Sequence, residues 1–115
     1  MRFSKFACCL AILFSACMCF AQMYTVIDLG TLGGSSSWGL AINNSGTVVG
    51  FATTRSNVYH AFISTNGGRM QDLNRLIPQG SGWVLGQANG INDAGQITGY
   101  GTIHGQTHAF LLTPH

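Results

Sequence analysis

Short apolar or alternating runs, separated by clusters of turn-forming residues, fill the chain after residue 22. Runs rich in Val, Ile, Thr and aromatic residues between Gly, Asn and Asp are typical of β-strands joined by tight turns. The chain is therefore predicted to be all-β. The predicted strands cover residues 24–29, 39–43, 47–53, 59–65, 69–74, 87–92, 96–101 and 107–113.

The β-rich part of the chain aligns with itself. Residues 41–51 match residues 90–100, and residues 60–62 match residues 108–110, at a shift of about 48–49 residues. Such a period is typical of stacked β units and propeller blades. Repeat one covers about residues 38–74 and repeat two about residues 83–113. The matching positions are Ile42, Asn43, Gly46, Gly50, His60, Ala61 and Phe62 in the first copy, and Ile91, Asn92, Gly95, Gly99, His108, Ala109 and Phe110 in the second.

The repeated Asn-led segments, residues 43–46 and 92–95, are predicted to be hairpin turns. Asn or Asp favours the opening of such a turn, and the closing glycine accepts a positive φ. Gly46 and Gly95 are therefore expected to have positive φ. Gly50 and Gly99 fall inside predicted strands, where glycine usually marks the close approach of another backbone.

The second copy ends before its fourth strand, but the other end of the chain supplies a similar segment. Val26-Ile27-Asp28-Leu29 resembles Met70-Gln71-Asp72-Leu73, so the strand at residues 24–29 is predicted to complete the second sheet. Two four-stranded antiparallel sheets of propeller-blade-like units result, stacked on each other. Since a propeller needs about four blades, an incomplete propeller, a ring built by several chains and a truncated product are the alternatives.

The amino-terminal segment, residues 1–21, is predicted to be a helical signal peptide. Arg2 and Lys5 precede an uncharged run that is too short for a membrane-spanning helix. We expect cleavage between Ala21 and Gln22, and hence secretion or display at the cell surface. The alternative is a lipoprotein anchored to the membrane through Cys17. All four cysteines lie in the leader, at positions 8, 9, 17 and 19, so the mature chain has no disulfide.

The mature chain is almost uncharged. Its charged side chains are three aspartates and three arginines, with no Lys and no Glu. Three scattered arginines do not form the basic surface that nucleic-acid binding requires, so a nucleic-acid partner is excluded. A neutral surface also resists self-association poorly. The sequence does not identify a partner, and self-association and a surface glycan are the two alternatives.

The repeat motif resembles a known family. Ile-Asn-Asn/Asp-x-Gly-x-Val/Ile-x-Gly-Phe/Tyr, followed by His-Ala-Phe and Asp-Leu, is similar to the HAF family of extracellular repeats in exported bacterial proteins. Residues 28–34, Asp-Leu-Gly-Thr-Leu-Gly-Gly, also resemble the segment between repeats of that family. The resemblance implies an extracellular repeat architecture without an established activity. Two repeats are fewer than the family pattern implies.

No catalytic or metal site is predicted. His60 and His108 occupy equivalent strand positions and could form paired ligands or bases, but a histidine in a repeated strand motif is usually a packing residue, and they are interpreted as such. The sequence shows no set of nucleophile, base and orienting residue. The aromatic residues Trp38, Tyr59, Trp83 and Tyr100 are the candidates for stacking on a ligand. The expected function is non-enzymatic adhesion, matrix formation or recognition outside the cell, with no cofactor. A lectin-like carbohydrate-binding module is the alternative, and a hydrolase using the histidines is a third hypothesis.

Overall fold

A computed structural model describes residues 21–115 of the chain, and the predicted signal segment before Ala21 lies outside the described residues. The described part is all-β, as the sequence predicts. It consists of β1 (Gly33–Ile42), β2 (Val48–Thr54), β3 (Tyr59–Ser64), β4 (Gln71–Asp72), β5 (Trp83–Ile91), β6 (Ile97–Ile103) and β7 (Gln106–Leu112), with a 3₁₀ helix at Leu73–Arg75.

The strands form two antiparallel sheets, one from each repeat. The first sheet has the order β1-β2-β3-β4, and the second has the order β5-β6-β7. The prediction of two antiparallel sheets is confirmed, but the prediction of four strands in each is wrong for the second sheet. Among residues 21–115, no strand pairs with the outer edge of β7.

The two repeats have the same turns and the same strand irregularities. Gly46 and Gly95 have φ values of 80° and 83°, so both are turn glycines as predicted. In each turn the amide of the glycine donates to the carbonyl of the leading asparagine, at 3.1 Å for Asn43 and 3.0 Å for Asn92. The register of β1 on β2 shifts between Gly39 and Ala41, and that of β5 on β6 shifts at the matching place.

The glycines inside the strands lie where another backbone approaches. A Cβ at Gly50 would overlap the carbonyl oxygen of Trp38, and a Cβ at Gly99 would overlap that of Gln87. Each glycine therefore allows the bulged first strand of its repeat to lie against the second strand, since only a residue without a Cβ fits there.

One core joins the sheets. Val49 and Ala61, from one face of the first sheet, pack with Leu85 and Ala88 of β5 and with other buried residues of the second sheet. The opposite face of the first sheet carries a smaller cluster built on Ala52, Phe62 and Met70. Because successive strand residues point to opposite faces, the neighbours Ala61 and Phe62 contribute to different clusters.

The predicted strand at residues 24–29 is absent from both sheets, which corrects the expectation that it completes the second one. Packing near its carboxyl end provides the reason. Leu29 and Leu32 pack against the smaller cluster on the first sheet, and Leu32 forms an isolated parallel bridge with Thr54. The hydroxyl of Ser37 also donates to the carbonyl of Gly30 at 2.6 Å. These contacts hold the segment beside the first sheet, away from β7.

Candidate functional site

Three aromatic side chains meet on one face of the first sheet, and we refer to them as the aromatic cluster: Trp38, Phe51 and Tyr59. Trp38 and Phe51 are directly opposite each other in the pairing of β1 with β2. Their rings stack with centroids 4.6 Å apart and an interplanar angle of 12°. Tyr59 meets both rings edge-on, at 6.0 Å from Trp38 and 5.5 Å from Phe51. Cross-strand aromatic pairs of this kind stabilise a sheet.

The cluster is open to solvent despite its size. Trp38 is 42% exposed and Tyr59 is 57% exposed. Large aromatic side chains usually gain free energy from burial, because each removes a large apolar area from water. An exposed group of them on one surface is a typical feature of a binding site.

The second sheet forms the other wall of a groove beside the cluster. This aromatic groove has a volume of about 500 Å³ and is lined by the three cluster residues together with Gly86, Gln87 and Tyr100. The hydroxyl of Tyr100 donates to Oε1 of Gln87 at 3.1 Å. None of the lining side chains is charged at neutral pH, so the groove offers flat apolar surfaces and a few neutral hydrogen-bonding groups.

The structure brings three of the four predicted aromatic candidates to this groove. Trp38, Tyr59 and Tyr100 line it, whereas Trp83 does not. Trp83 is half-buried at the start of β5 and packs against the shared core. Its ring meets Phe110 edge-on at 6.2 Å and His108 at 6.5 Å. Trp83 therefore serves packing at a different place.

Sequence reasoning missed Phe51 and Gln87. The sequence identifies Phe51 only as the repeat counterpart of Tyr100, and its position beside Trp38 depends on the register of β1 on β2. Side chains alternate between the two faces of a strand, so Phe51 lies on the same face as Val49, two residues earlier in β2. This alternation is the signal that could have placed Phe51 on that face, where it is opposite Ala61 of β3. Gln87 is the repeat counterpart of Trp38, so comparison of the two copies could have identified it.

The two histidines are in different surroundings. His60 Nδ1 lies 2.6 Å from Oδ2 of Asp72, within hydrogen-bonding distance. The other carboxylate oxygen, Oδ1 of Asp72, accepts from the amide of Asn74 at 2.9 Å. His108 is exposed and makes no side-chain hydrogen bond within the part of the chain that the structure describes. Nor does that part contain a group of three or more His, Cys, Asp or Glu residues placed to hold a metal ion.

The equivalent turns of the two repeats bond to each other. Asn43 Nδ2 donates to the carbonyl of Asn92 at 3.0 Å. The backbone amide and the side-chain amide of Asn44 donate to the two carboxylate oxygens of Asp93, at 2.9 and 2.6 Å. The Asp93 carboxylate is therefore engaged in joining one repeat to the next.

A second groove, of about 530 Å³, lies beside β4 and includes Arg69, Arg75 and Asp72 in its lining. It contains no aromatic side chain, and part of its wall is the Thr31-Leu32 segment. Both arginines are exposed, so solvent weakens their attraction for an anion. The aromatic groove is the better candidate for a binding site.

Comparison of the chain with protein-family models, with curated proteins and with solved structures gives no match. Among residues 21–115, no helix is long and apolar enough to cross a membrane. The aromatic groove therefore has to be interpreted from its own geometry.

Proposed function

We propose that the protein is an exported, non-enzymatic recognition module that binds carbohydrate rings in the aromatic groove. This function is the lectin-like alternative that the sequence left open beside the expected role in adhesion, matrix formation or recognition. The stacked pair of Trp38 and Phe51, in which Trp38 is exposed, with the exposed Tyr59 at its edge, is the observation that carries the proposal.

The chemistry of the groove suits a sugar better than the other classes of ligand. A sugar ring presents a face of C–H groups, which packs on a flat aromatic ring, and a rim of hydroxyls, which bond to neutral polar groups. Tyr59, Tyr100 and Gln87 supply such groups around the apolar surface. A volume of about 500 Å³ falls within the range of small-molecule sites, roughly 300–1,000 Å³. An anionic or cationic ligand would find no opposite charge in the lining.

Export and the repeat architecture support a role outside the cell. We propose that residues 1–21 are a signal peptide removed before Gln22, and that the two sheets are propeller-blade-like units, for which the repeat period of about 48–49 residues is typical. The HAF resemblance supports an extracellular repeat architecture. A glycan-binding groove is useful on such a protein, because extracellular polysaccharides and cell surfaces present repeated sugar rings at high local concentration.

Glycan-array binding followed by titration of the best glycan tests the proposal. Trp38→Ala should lower the affinity at least tenfold, because a central aromatic anchor contributes about 2 kcal/mol or more, and about 1.4 kcal/mol corresponds to tenfold. The matched control is Trp83→Ala, which removes the same side chain outside the groove and should leave the affinity unchanged in molecules that stay folded.

A control for folding and the possible outcomes decide how the titration is read. Circular dichroism of each variant shows whether the sheets are intact, so that a loss of binding is not confused with unfolding. Binding that survives Trp38→Ala, or is lost equally in folded Trp83→Ala, would contradict the proposed site. Absence of binding to every glycan tested, with capture of an extracellular matrix protein instead, would favour protein adhesion.

A further inference from the structure

The outer edge of β7 is open and lies beside an apolar groove. No strand among residues 21–115 pairs with this edge. The groove, which we call the β7 groove, has a volume of about 310 Å³ and runs along residues 109–112. Trp83, Leu85 and Phe110 form part of its wall. An open strand edge beside apolar surface is a template for pairing with another strand.

The first sheet contains the same edge with its partner in place. In the pairing of β3 with β4, Phe62 is opposite Asp72 and Ile63 is opposite Gln71. Met70 precedes this pair, is 7% exposed and packs on Phe62. Asp72 then bonds to His60 of β3 through Oδ2. The partner strand thus supplies an apolar residue, a backbone ladder and a carboxylate for the histidine.

The chain carries a segment that resembles that partner sequence, with the Asp-Leu pair identical, and this segment belongs to neither sheet. Val26-Ile27-Asp28-Leu29 matches Met70-Gln71-Asp72-Leu73, and Val26 is 93% exposed. Asp28 Oδ1 accepts from the amide two residues ahead, that of Gly30, at 2.9 Å. Asp72 Oδ1 accepts from the amide of Asn74 in the same way and at the same distance. Asp28 Oδ1 therefore makes the same local hydrogen bond as Asp72 Oδ1, and Asp28 Oδ2 makes no hydrogen bond within residues 21–115.

The receiving edge has matching chemistry. His108, Ala109 and Phe110 correspond to His60, Ala61 and Phe62. The exposed His108 is in the place where His60 meets its carboxylate. Phe110 borders the β7 groove in the place where Phe62 contacts Met70. One strand register thus places Asp28 next to His108 and Val26 next to the β7 groove.

The segment does not reach this edge within its own chain. Leu29 and Leu32 are fixed on the face of the first sheet that carries Ala52 and Phe62. The second sheet packs on the opposite face, through Val49 and Ala61. The first sheet thus separates the segment from β7 of the same molecule.

We propose that residues 24–28 of a second copy of this chain form the fourth strand of the second sheet. In this arrangement Asp28 of one copy is opposite Phe110 of the other and bonds to His108, and Ile27 is opposite Leu111. Val26 enters the β7 groove. The contact is head-to-tail, so it gives a closed ring or an open chain of copies. Two copies supply four sheets, which is about the number a closed ring requires.

Cysteine cross-linking tests the register directly. In the full chain with its four native cysteines changed to serine, Ile27→Cys and Leu111→Cys are made as separate proteins, mixed and oxidised. A covalent heterodimer is expected, because cross-strand partners lie within the roughly 7 Å between Cα atoms that a disulfide spans. Gln71→Cys with Ile63→Cys in one chain is the positive control, since these residues are paired in the structure.

The matched negative control keeps Ile27→Cys and moves the second cysteine to Thr107. Thr107 lies four residues from Leu111, about 13 Å along the strand, so no heterodimer is expected. Equal cross-linking of both mixtures, or no cross-linking of either, would overturn the proposal. A doubly substituted Ile27→Cys, Leu111→Cys chain that closes only on itself would also overturn it, because the segment would then serve its own sheet.

Light scattering on the protein recovered from an exporting host gives a second, independent test. The unmodified protein should have the mass of two or more chains, and Val26→Asp should lower it to that of one chain. Val26 is almost fully exposed in the single chain, so this change does not disturb its core. Val58→Asp, at another exposed valine, should leave the mass unchanged. A single-chain mass for the unmodified protein, or no effect of Val26→Asp, would refute the exchange.

Discussion

Asn74 links the two repeats through a pair of hydrogen bonds, and its removal should destabilise the protein strongly. Its Oδ1 accepts from the amide of Leu85 at 2.7 Å, and its Nδ2 donates to the carbonyl of Leu85 at 2.9 Å. The side chain thus occupies the edge of β5 as a neighbouring strand would. Because Leu85 is 1% exposed, water cannot easily replace these bonds.

Asn74→Ala should lower the free energy of unfolding by about 2–3 kcal/mol, from two bonds of about 1 kcal/mol each and the penalty for unsatisfied backbone groups. For a domain of about 60–100 residues this corresponds to a fall in the melting temperature of roughly 10–20 °C. Thermal unfolding followed by circular dichroism measures the change. The matched control is Asn89→Ala, which removes an exposed asparagine from the bulge of β5.

Asn74→Asp separates hydrogen bonding from packing. Aspartate has the same shape as asparagine but replaces the donor nitrogen with an oxygen, which would face the carbonyl of Leu85. We therefore expect Asn74→Asp to destabilise the protein at least as much as Asn74→Ala. The two bonds do not hold the repeats together if Asn74→Ala has the same melting temperature as Asn89→Ala. The same conclusion follows if Asn74→Asp has the melting temperature of the unmodified protein.

Three other predictions follow from the same structure. Leu85→Ala should cost about 2–5 kcal/mol in urea unfolding, because it opens a cavity in the shared core, whereas Leu76→Ala, at a side chain that is 55% exposed, should stay within about 0.5 kcal/mol. Gly46→Val and Gly95→Val should each cost about 1–3 kcal/mol, because both glycines have positive φ; equal stability of these variants and the unmodified protein would contradict the turn geometry. The intact mass of the exported protein should correspond to a chain that begins at Gln22, and a lipid-modified cysteine or a retained Met1 would disprove this.

The turns and the repeat could be predicted because their signals are local. Asn, Ser and Gly at the positions of a tight turn restrict the backbone wherever they occur, so residues 43–46 and 92–95 form the predicted hairpins. The second and third strands of each repeat, β2 and β3 and then β6 and β7, also fall close to their predicted bounds.

The first strand of each repeat begins earlier than predicted. β1 starts at Gly33 instead of residue 39, and β5 starts at Trp83 instead of residue 87. The start of β1 is Gly-Gly-Ser-Ser-Ser, which has no apolar alternation to mark a strand. It is held partly by a side chain of the neighbouring strand, since Thr53 Oγ1 accepts from the amide of Ser36 and donates to its carbonyl. Such a tertiary contact leaves no periodic pattern in the sequence.

The sequence predicted that aromatic residues would form the candidate site, but it identified only some of the residues that line the groove. The sequence offers Trp38, Tyr59, Trp83 and Tyr100 as candidates for stacking on a ligand, and the structure brings all of them except Trp83 to the groove. Whether two aromatic side chains meet depends on strand register, because a slip of one residue would move the side chains of a strand to the opposite face of the sheet. The exclusion of Trp83 from the groove and the inclusion of Phe51 both follow from register and sheet packing.

The two repeats share the same arrangement of strands and turns but differ in the aromatic side chains that they carry. The counterparts of Trp38 and Phe51 are Gln87 and Tyr100, so the stacked pair occurs once in the described chain. In the second repeat the turn asparagine and the strand glycine are kept, together with His108 and Phe110 at the open edge. Residues that shape the fold are thus the same in both copies, while residues that face the groove differ. A repeat that needed its aromatic residues for folding would carry them twice, so the aromatic cluster is better explained by binding than by stability.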